Sequence, residues 1–149
     1  MKNRERQIRI CKVLIILNLC FIWGNSLLPG ELSGALSDWV RQLLETVFPG
    51  DGVETPGGGL LRKMAHFTEF ASLGLLLSLT FRLSQKKTWH ALFWGVLAAC
   101  IDETIQMFVP DRGPALLDVG IDSCGVLTGI LLMQAVHILK RQQTKKFGG

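Results

Sequence analysis

The chain has 149 residues, of which 48% are hydrophobic and 19% are charged, with a formal net charge of +4. Its length indicates one domain, spanning residues 1–149, and its hydrophobic share is high for a soluble domain of this size. A membrane protein is therefore the first class to test, and a nucleic-acid-binding protein is not expected because the basic residues are spread over short separate segments.

The first predicted element is a transmembrane helix at about residues 8–28. A basic segment, MKNRERQIRICK, precedes the apolar run VLIILNLCFIWGNSLL. Crossing a hydrocarbon core of about 30 Å takes about 20 residues, a length that the run reaches together with Ile8–Ile10. A cleaved signal peptide has a similar pattern, but the run lacks a small-residue cleavage site after it, which favours a retained helix.

Residues 29–62 form a long polar segment that we predict to be an outer loop. Within it, apolar residues recur at three- and four-residue spacing, which predicts an amphipathic helix in the membrane interface or capping the bundle. The apolar positions are Leu32, Leu36, Trp39, Val40, Leu43 and Val47. The glycine- and proline-rich segment PGDGVETPGGG follows, and it can be interpreted as a flexible lid or as a plain connector.

Three further transmembrane helices are predicted at about residues 63–81, 89–109 and 118–139. The N-terminus, the turn at 82–87 and the C-terminal tail carry five, three and four of the 16 Lys and Arg residues. Basic loops face the cytoplasm, so both termini are expected there. The predicted fold is an all-α integral membrane four-helix bundle in the cell membrane, with an extracytoplasmic amphipathic helix between its first two transmembrane helices.

Small residues in the predicted helices indicate where helices pack closely. Gly125 and Gly129 form a GxxxG spacing that would let another helix approach, which is compatible with an oligomer. The cysteines lie in apolar runs without the spacing of a zinc site, and we expect them to be buried and free of disulfides. They are Cys11, Cys20, Cys100 and Cys124.

Ionisable residues inside the predicted helices are the main functional signal, because a charge near the bilayer centre costs roughly 2.5 to 3.5 kcal/mol. With a rise of about 1.5 Å per residue, seven polar residues fall in the outer leaflet at similar depths. They are His66, Glu69, Asp102, Glu103, Gln106, Asp118 and Asp122. We predict that they share an outward-facing polar pocket, with Arg62, Lys63 and Arg112 at its rim to hold an anionic group.

The chemistry of this predicted pocket has several interpretations. His66 with Glu69, Asp102 or Glu103 is a candidate acid/base pair, because adjacent carboxylates in a low-dielectric layer raise one another's pKa. The alternative is a structural network of interhelical hydrogen bonds. His66 and Glu69 at HxxE spacing also suggest a divalent cation, but without a second nitrogen or sulfur ligand we expect no metal, and we assign no cofactor.

Four sequence blocks resemble the VanZ-like family of small bacterial membrane proteins, and the resemblance runs from about Cys20 to Ile130. The blocks are GNSLLPGELSGALS, LRKMAHFTEFASLG, DETIQMFVPDR and LLDVGIDSCGVLTG. The residues that match the family's motif positions are His66, Glu69, Asp102, Glu103, Gln106, Arg112 and Asp118.

Three positions depart from the family's pattern: Asp122 stands for its usual Asn, Phe70 for its Tyr, and Asp111 for a Gly. These departures add negative charge and remove a hydroxyl. The resemblance implies an association with low-level resistance to the glycopeptide antibiotic teicoplanin, for which no chemistry is agreed.

Three classes of function stay open on these grounds. A protein that binds or acts on a lipid-linked or cell-envelope molecule, or on the glycopeptide itself, fits the pocket and the lipid bilayer around it. A membrane-embedded hydrolase or transferase would use His66 and carboxylates as its acid/base pair. A small proton-coupled transporter ranks lower, because the inner halves of the predicted helices carry no acid.

Overall fold

The computed structural model describes residues 2–47, 58–113 and 115–147. Within these ranges the chain forms helices and no strand, so the all-α prediction is confirmed. The helices are α1 (Lys2–Ser26), α2 (Gly30–Val47), α3 (Gly58–Leu83), α4 (Trp89–Gln106) and α5 (Leu116–Phe147). The predicted loop PGDGVETPGGG lies mostly outside the described residues.

Three helices in the described part of the chain are long and apolar enough to cross a membrane. They are Lys2–Ser26, Gly59–Leu83 and Leu116–Gln143. The other predicted span is α4, whose 18 residues would cover about 27 Å. α4 is not among these three helices, and Asp102, Glu103 and Gln106 bring polar side chains into its last two turns.

The outer surface of the bundle is apolar, as expected of a protein surrounded by lipid. On α1 the side chains of Val13, Ile16 and Phe21 are 56%, 59% and 58% exposed. In water such a contiguous apolar surface would favour association or aggregation, whereas lipid tails solvate it. These faces and the three apolar helices support a membrane protein.

The core is built around α3, which packs against α1, α2, α4 and α5. Phe70 and Leu73 of α3, Ile22 of α1 and Val126 of α5 are almost completely buried there. Val126 fits between two glycines, Gly74 of α3 and Gly95 of α4, where an added Cβ would collide with it. Small residues thus allow three helices to meet closely at one level.

The GxxxG pair is used inside the chain. A Cβ added to Gly125 would lie 2.5 Å from the carbonyl oxygen of Phe67, and one added to Gly129 would collide with the carbonyl of Ala71. The helix that approaches this spacing is therefore α3 of the same chain. An oligomer stays a prediction, and it would have to use another face.

The expectation that the cysteines are buried is wrong for three of them. Only Cys11 is buried, whereas Cys20, Cys100 and Cys124 are exposed on the surface of the bundle, and all four are free thiols. The physical reason is that an apolar run marks contact with either the protein core or lipid, and hydropathy does not distinguish these surroundings.

The helix boundaries extend beyond the apolar runs. α1 begins at Lys2 rather than near residue 8, and α5 continues to Phe147 rather than ending near 139. Backbone hydrogen bonding continues a helix through polar residues of good helix propensity, such as the lysines, arginines and glutamines of both flanks. Hydropathy, in contrast, marks only the part of a helix that faces lipid.

α2 is present where the amphipathic pattern predicts a helix, and it packs against the first turns of α3. Its first residue, Gly30, donates its backbone N–H to the carbonyl of Pro110 at 3.3 Å. Gly30 also lies so close to Asp111 that an added Cβ would be 2.5 Å from the Asp111 carbonyl oxygen. α2 is thereby attached to the turn between α4 and α5.

The basic segments gather at the other end of the bundle. Arg82 at the end of α3 contacts His137 of α5. Lys12 of α1 and Lys86 of the α3–α4 turn line one apolar cavity of about 430 Å³. Described residues of the basic N-terminal segment and of the 82–87 turn therefore lie near one another.

Candidate functional site

A largely buried histidine and a fully buried aspartate meet near the α2 end of the bundle. Nδ1 of His66, on α3, lies 3.7 Å from Oδ2 of Asp102, on α4, and the side chains are 13% and 0% exposed. Gln106, one turn after Asp102, donates from Nε2 to the same Oδ2 at 2.8 Å. The i,i+4 spacing places both side chains on the inner face of α4.

Asp122 of α5 completes a three-residue group with His66 and Asp102. Each residue offers one ligand atom, and these atoms lie within 4.8 Å of one another. Asp122 is 1% exposed, and neither of its carboxylate oxygens has a hydrogen-bond partner. A group of one imidazole and two carboxylates is chemically able to hold a metal ion.

Three more predicted residues secure the start of α5. Oε2 of Glu103 accepts a hydrogen bond from the backbone N–H of Ala115 at 3.0 Å. Lys63 of α3 pairs with Asp118 of α5, with Nζ 3.3 Å from Oδ1. Their contacts connect α3, α4 and the first turn of α5, so part of the predicted site has a structural role.

A narrow cavity of about 10 Å³ lies among these polar side chains. This volume is about that of one water-sized probe. The cavity brings seven of the ten predicted site residues together, namely Arg62, Lys63, His66, Glu103, Gln106, Asp118 and Asp122. Asp102 joins them through His66 and Gln106.

Glu69 and Arg112 instead line a second space, which we call the α2 groove. It has a volume of about 150 Å³ and lies between α2 and α3. Its polar lining is Asn25, Ser33, Ser37, Arg62, His66, Glu69 and Arg112, and its apolar lining is Leu28, Leu36, Val40, Leu61 and Ala65. His66 and Arg62 therefore line both the groove and the narrow cavity.

Arg112 has free hydrogen-bonding capacity in this groove. Its Nη2 donates to the backbone carbonyl of Asn25 at 3.3 Å, whereas its buried Nε and Nη1 have no partner. Burial lowers the pKa of Arg112, the positive charge of Arg62 lowers it further, and Asp102 and Glu103 raise it. An arginine nevertheless keeps its charge at neutral pH.

Two residues of α1 belong to the site although we did not predict them. Asn25 donates from Nδ2 to Oε1 of Glu69 at 2.9 Å. Ser26 is completely buried, and its Oγ accepts a hydrogen bond from Nε2 of Gln106 at 3.3 Å. The signal that would have identified them is an Asn-Ser pair at the end of an apolar transmembrane run, where unpaired polar groups are costly.

The comparisons with known proteins give one result. A family model described as VanZ/LLP1 matches residues 11–139, which is most of the chain. Among curated proteins and among solved structures, no significant match to the chain is found. The matched range includes most of α1, all of α2 to α4, the start and middle of α5, and every residue of the site described above. The chain therefore belongs to the VanZ/LLP1 family, as its sequence blocks predicted.

Proposed function

We propose that this membrane protein binds a phosphate-bearing, lipid-linked molecule of the cell envelope in the α2 groove. The observation that carries the proposal is Arg112, which lines the groove and whose buried Nε and Nη1 have no hydrogen-bond partner. Buried donors without partners cost free energy, and a charged donor costs more. An anion in the groove would satisfy them.

A second positive charge supports an anionic ligand. Arg62 lines the same groove and is close enough to Arg112 to lower its pKa. Two neighbouring guanidinium groups repel each other, and a phosphate between them would replace the repulsion by charge-assisted hydrogen bonds. Arginine suits this role because its planar group binds two phosphate oxygens at once.

The remainder of the groove supports a ligand with an apolar chain. Leu36 and Val40 of α2 face Leu61 and Ala65 of α3 across it, whereas Leu32, Trp39 and Leu43 of α2 are about half exposed or more. An amphipathic helix with part of its apolar face outward can lie in the membrane interface. A lipid could then enter from the bilayer beside α2.

The proposal includes the topology that would give this site access to the envelope. With four membrane-spanning helices (α1, α3, α4 and α5) and both termini in the cytoplasm, α2 and the groove would face outward. The distribution of basic residues supports this orientation. Binding of a lipid-linked precursor there would also provide a route to low-level teicoplanin resistance, the phenotype that the family resemblance implies.

A membrane-embedded hydrolase or transferase is the second candidate, and the His66–Asp102 pair favours it. A carboxylate beside an imidazole can orient it as a general base, and His66 lines the groove in which the ligand would bind. His66→Gln separates the two functions, because an enzyme variant of this kind would bind the ligand without converting it.

The test is a titration of the full-length protein in detergent with farnesyl phosphate. Binding is measured as a change in tryptophan fluorescence. Loss of a charge-assisted contact of about 1.5 to 3 kcal/mol predicts about 10- to 150-fold weaker binding for Arg112→Gln. Arg112→Lys should lose less than Arg112→Gln, because it keeps the charge. Arg82→Gln, at the basic end of the bundle, should bind as the wild type does.

Farnesol is the matched neutral ligand. It should bind to the wild type more weakly than farnesyl phosphate does. Its affinity for Arg112→Gln should equal its affinity for the wild type. Equal binding of both ligands by the wild type, or unchanged phosphate binding by Arg112→Gln, would contradict the proposal. In cells, teicoplanin susceptibility with the wild type and with Arg112→Gln measures the resistance phenotype, which the variant should lose.

A further inference from the structure

We propose that His66, Asp102 and Asp122 bind one divalent metal ion. This metal site is independent of the anion site proposed in the α2 groove. The three residues come from α3, α4 and α5, and their ligand atoms lie within 4.8 Å of one another. Ligand atoms on opposite sides of an ion at about 2.1 Å would be about 4.2 Å apart. The side chains therefore need to move only slightly to surround an ion.

Three carboxylate oxygens in this group have no protein partner. They are Oδ1 of Asp102 and both oxygens of Asp122. Asp102 is 0% and Asp122 is 1% exposed, so bulk water does not hydrate them. A structural hydrogen-bond network would supply donors to these oxygens, because an unpaired buried charge is strongly unfavourable. A cation satisfies them instead.

The basic residues nearby do not neutralise Asp122. Lys63 pairs with Asp118, and Arg112 donates to a backbone carbonyl of α1. Among the described residues, no lysine and no arginine forms an ion pair with Asp122. The cluster contains five carboxylates, on Glu69, Asp102, Glu103, Asp118 and Asp122, against three bases, Arg62, Lys63 and Arg112. The carboxylates of the cluster therefore outnumber its bases, and Asp122 is left without a basic partner.

The residues around the proposed metal site can orient the metal-ligating side chains. Gln106 holds the other oxygen of Asp102 at 2.8 Å and is itself in contact with Ser26. Hydrogen bonds of this kind fix the direction of a ligating carboxylate. The adjoining cavity of about 10 Å³ has room for one small ion or water.

The ligand set differs from the HxxE pair of the sequence. Glu69 accepts a hydrogen bond from Asn25 and lines the α2 groove, so Asp122 takes its place beside His66. One imidazole and two carboxylates suit a first-row transition metal such as Mn²⁺ or Zn²⁺. Three protein ligands also leave a coordination position open, and His66 extends to the groove where the proposed phosphate would lie.

The experiment is metal analysis of the full-length protein purified in detergent without chelators, followed by titration of the chelator-treated protein with Mn²⁺ and with Zn²⁺. The wild type should bind about one ion of at least one of these metals per chain. Asp122→Asn and Asp102→Asn should lose it. Gln106→Ala should bind the metal about 10- to 100-fold more weakly, as expected for loss of a contact that orients a ligand.

Glu69→Gln is the matched control, and it should retain the wild-type affinity. A folded wild type that binds neither metal would overturn the proposal, whatever the variants do. Retention of the metal by Asp122→Asn, or its loss in Glu69→Gln, would overturn the assignment of Asp122. Size-exclusion profiles and helical circular dichroism establish that each variant is folded. Arg112→Gln should bind metal normally, which distinguishes failure of this site from failure of the anion site.

Discussion

His66 and Asp102 are brought within 3.7 Å of each other although 36 residues separate them in the chain. Asp102 is held at that distance by Gln106, which donates to the same carboxylate oxygen. The other oxygen is left free. The pair is therefore both a candidate acid/base pair and part of a candidate metal site, and its geometry depends on a neutral amide one helical turn away.

Gln106→Leu should destabilise the protein. The substitution removes the donor from a completely buried carboxylate, and such a loss costs about 1 to 3 kcal/mol or more for a charged group. Thermal unfolding in detergent measures the effect as a lower midpoint. Thr104→Ala, on the same helix, removes only an exposed hydrogen bond to the carbonyl of Cys100. Equal midpoints for the two variants would show that Gln106 does not support Asp102.

Gly129→Ala should destabilise the contact between α3 and α5. The added methyl would collide with the carbonyl oxygen of Ala71, and overpacking of this kind costs about 1 to 3 kcal/mol. Gly120→Ala is the control on the same helix, because its Cβ would meet nothing within 4 Å. Alanine there should stabilise the helix by up to about 1 kcal/mol. Midpoints that shift in the same direction would contradict this packing.

Asn25→Leu should affect both stability and the α2 groove. It removes the donor that pairs with Glu69 at 2.9 Å and leaves a partly buried acid without a partner. We expect a cost of about 1 to 3 kcal/mol, measured by thermal unfolding. Asn18→Leu breaks the exposed bond to Ser72 and should cost less. A larger effect at Asn18 than at Asn25 would contradict this interpretation.

Cysteine labelling in whole cells should test the proposed topology. In a background with the four native cysteines replaced by serine, we expect Gly113→Cys to react with a membrane-impermeant maleimide from outside. Lys87→Cys should react only after the cells are permeabilised. Both positions are exposed in loops at opposite ends of α4. Labelling of both from the same side would show that α4 does not cross the membrane.

Much of the fold was predictable because its signals are local. Apolar length predicts the helices, and three- and four-residue spacing predicts the amphipathic α2. The same hydropathy cannot separate lipid from protein core, which is why Cys20, Cys100 and Cys124 were wrongly expected to be buried. The helices α1 and α5 also run beyond the predicted membrane spans, since the polar ends of a helix carry no apolar signal.

The sequence by itself determined which polar residues lie within or beside apolar helices and how far along each helix they lie, because that position follows from a fixed rise per residue. Tertiary structure decided which of them meet. Asp122 rather than Glu69 joins His66 and Asp102, and α3 of the same chain covers Gly125 and Gly129. The rotation of each helix about its axis decides these partners, and that rotation is set by the packing of side chains from distant segments.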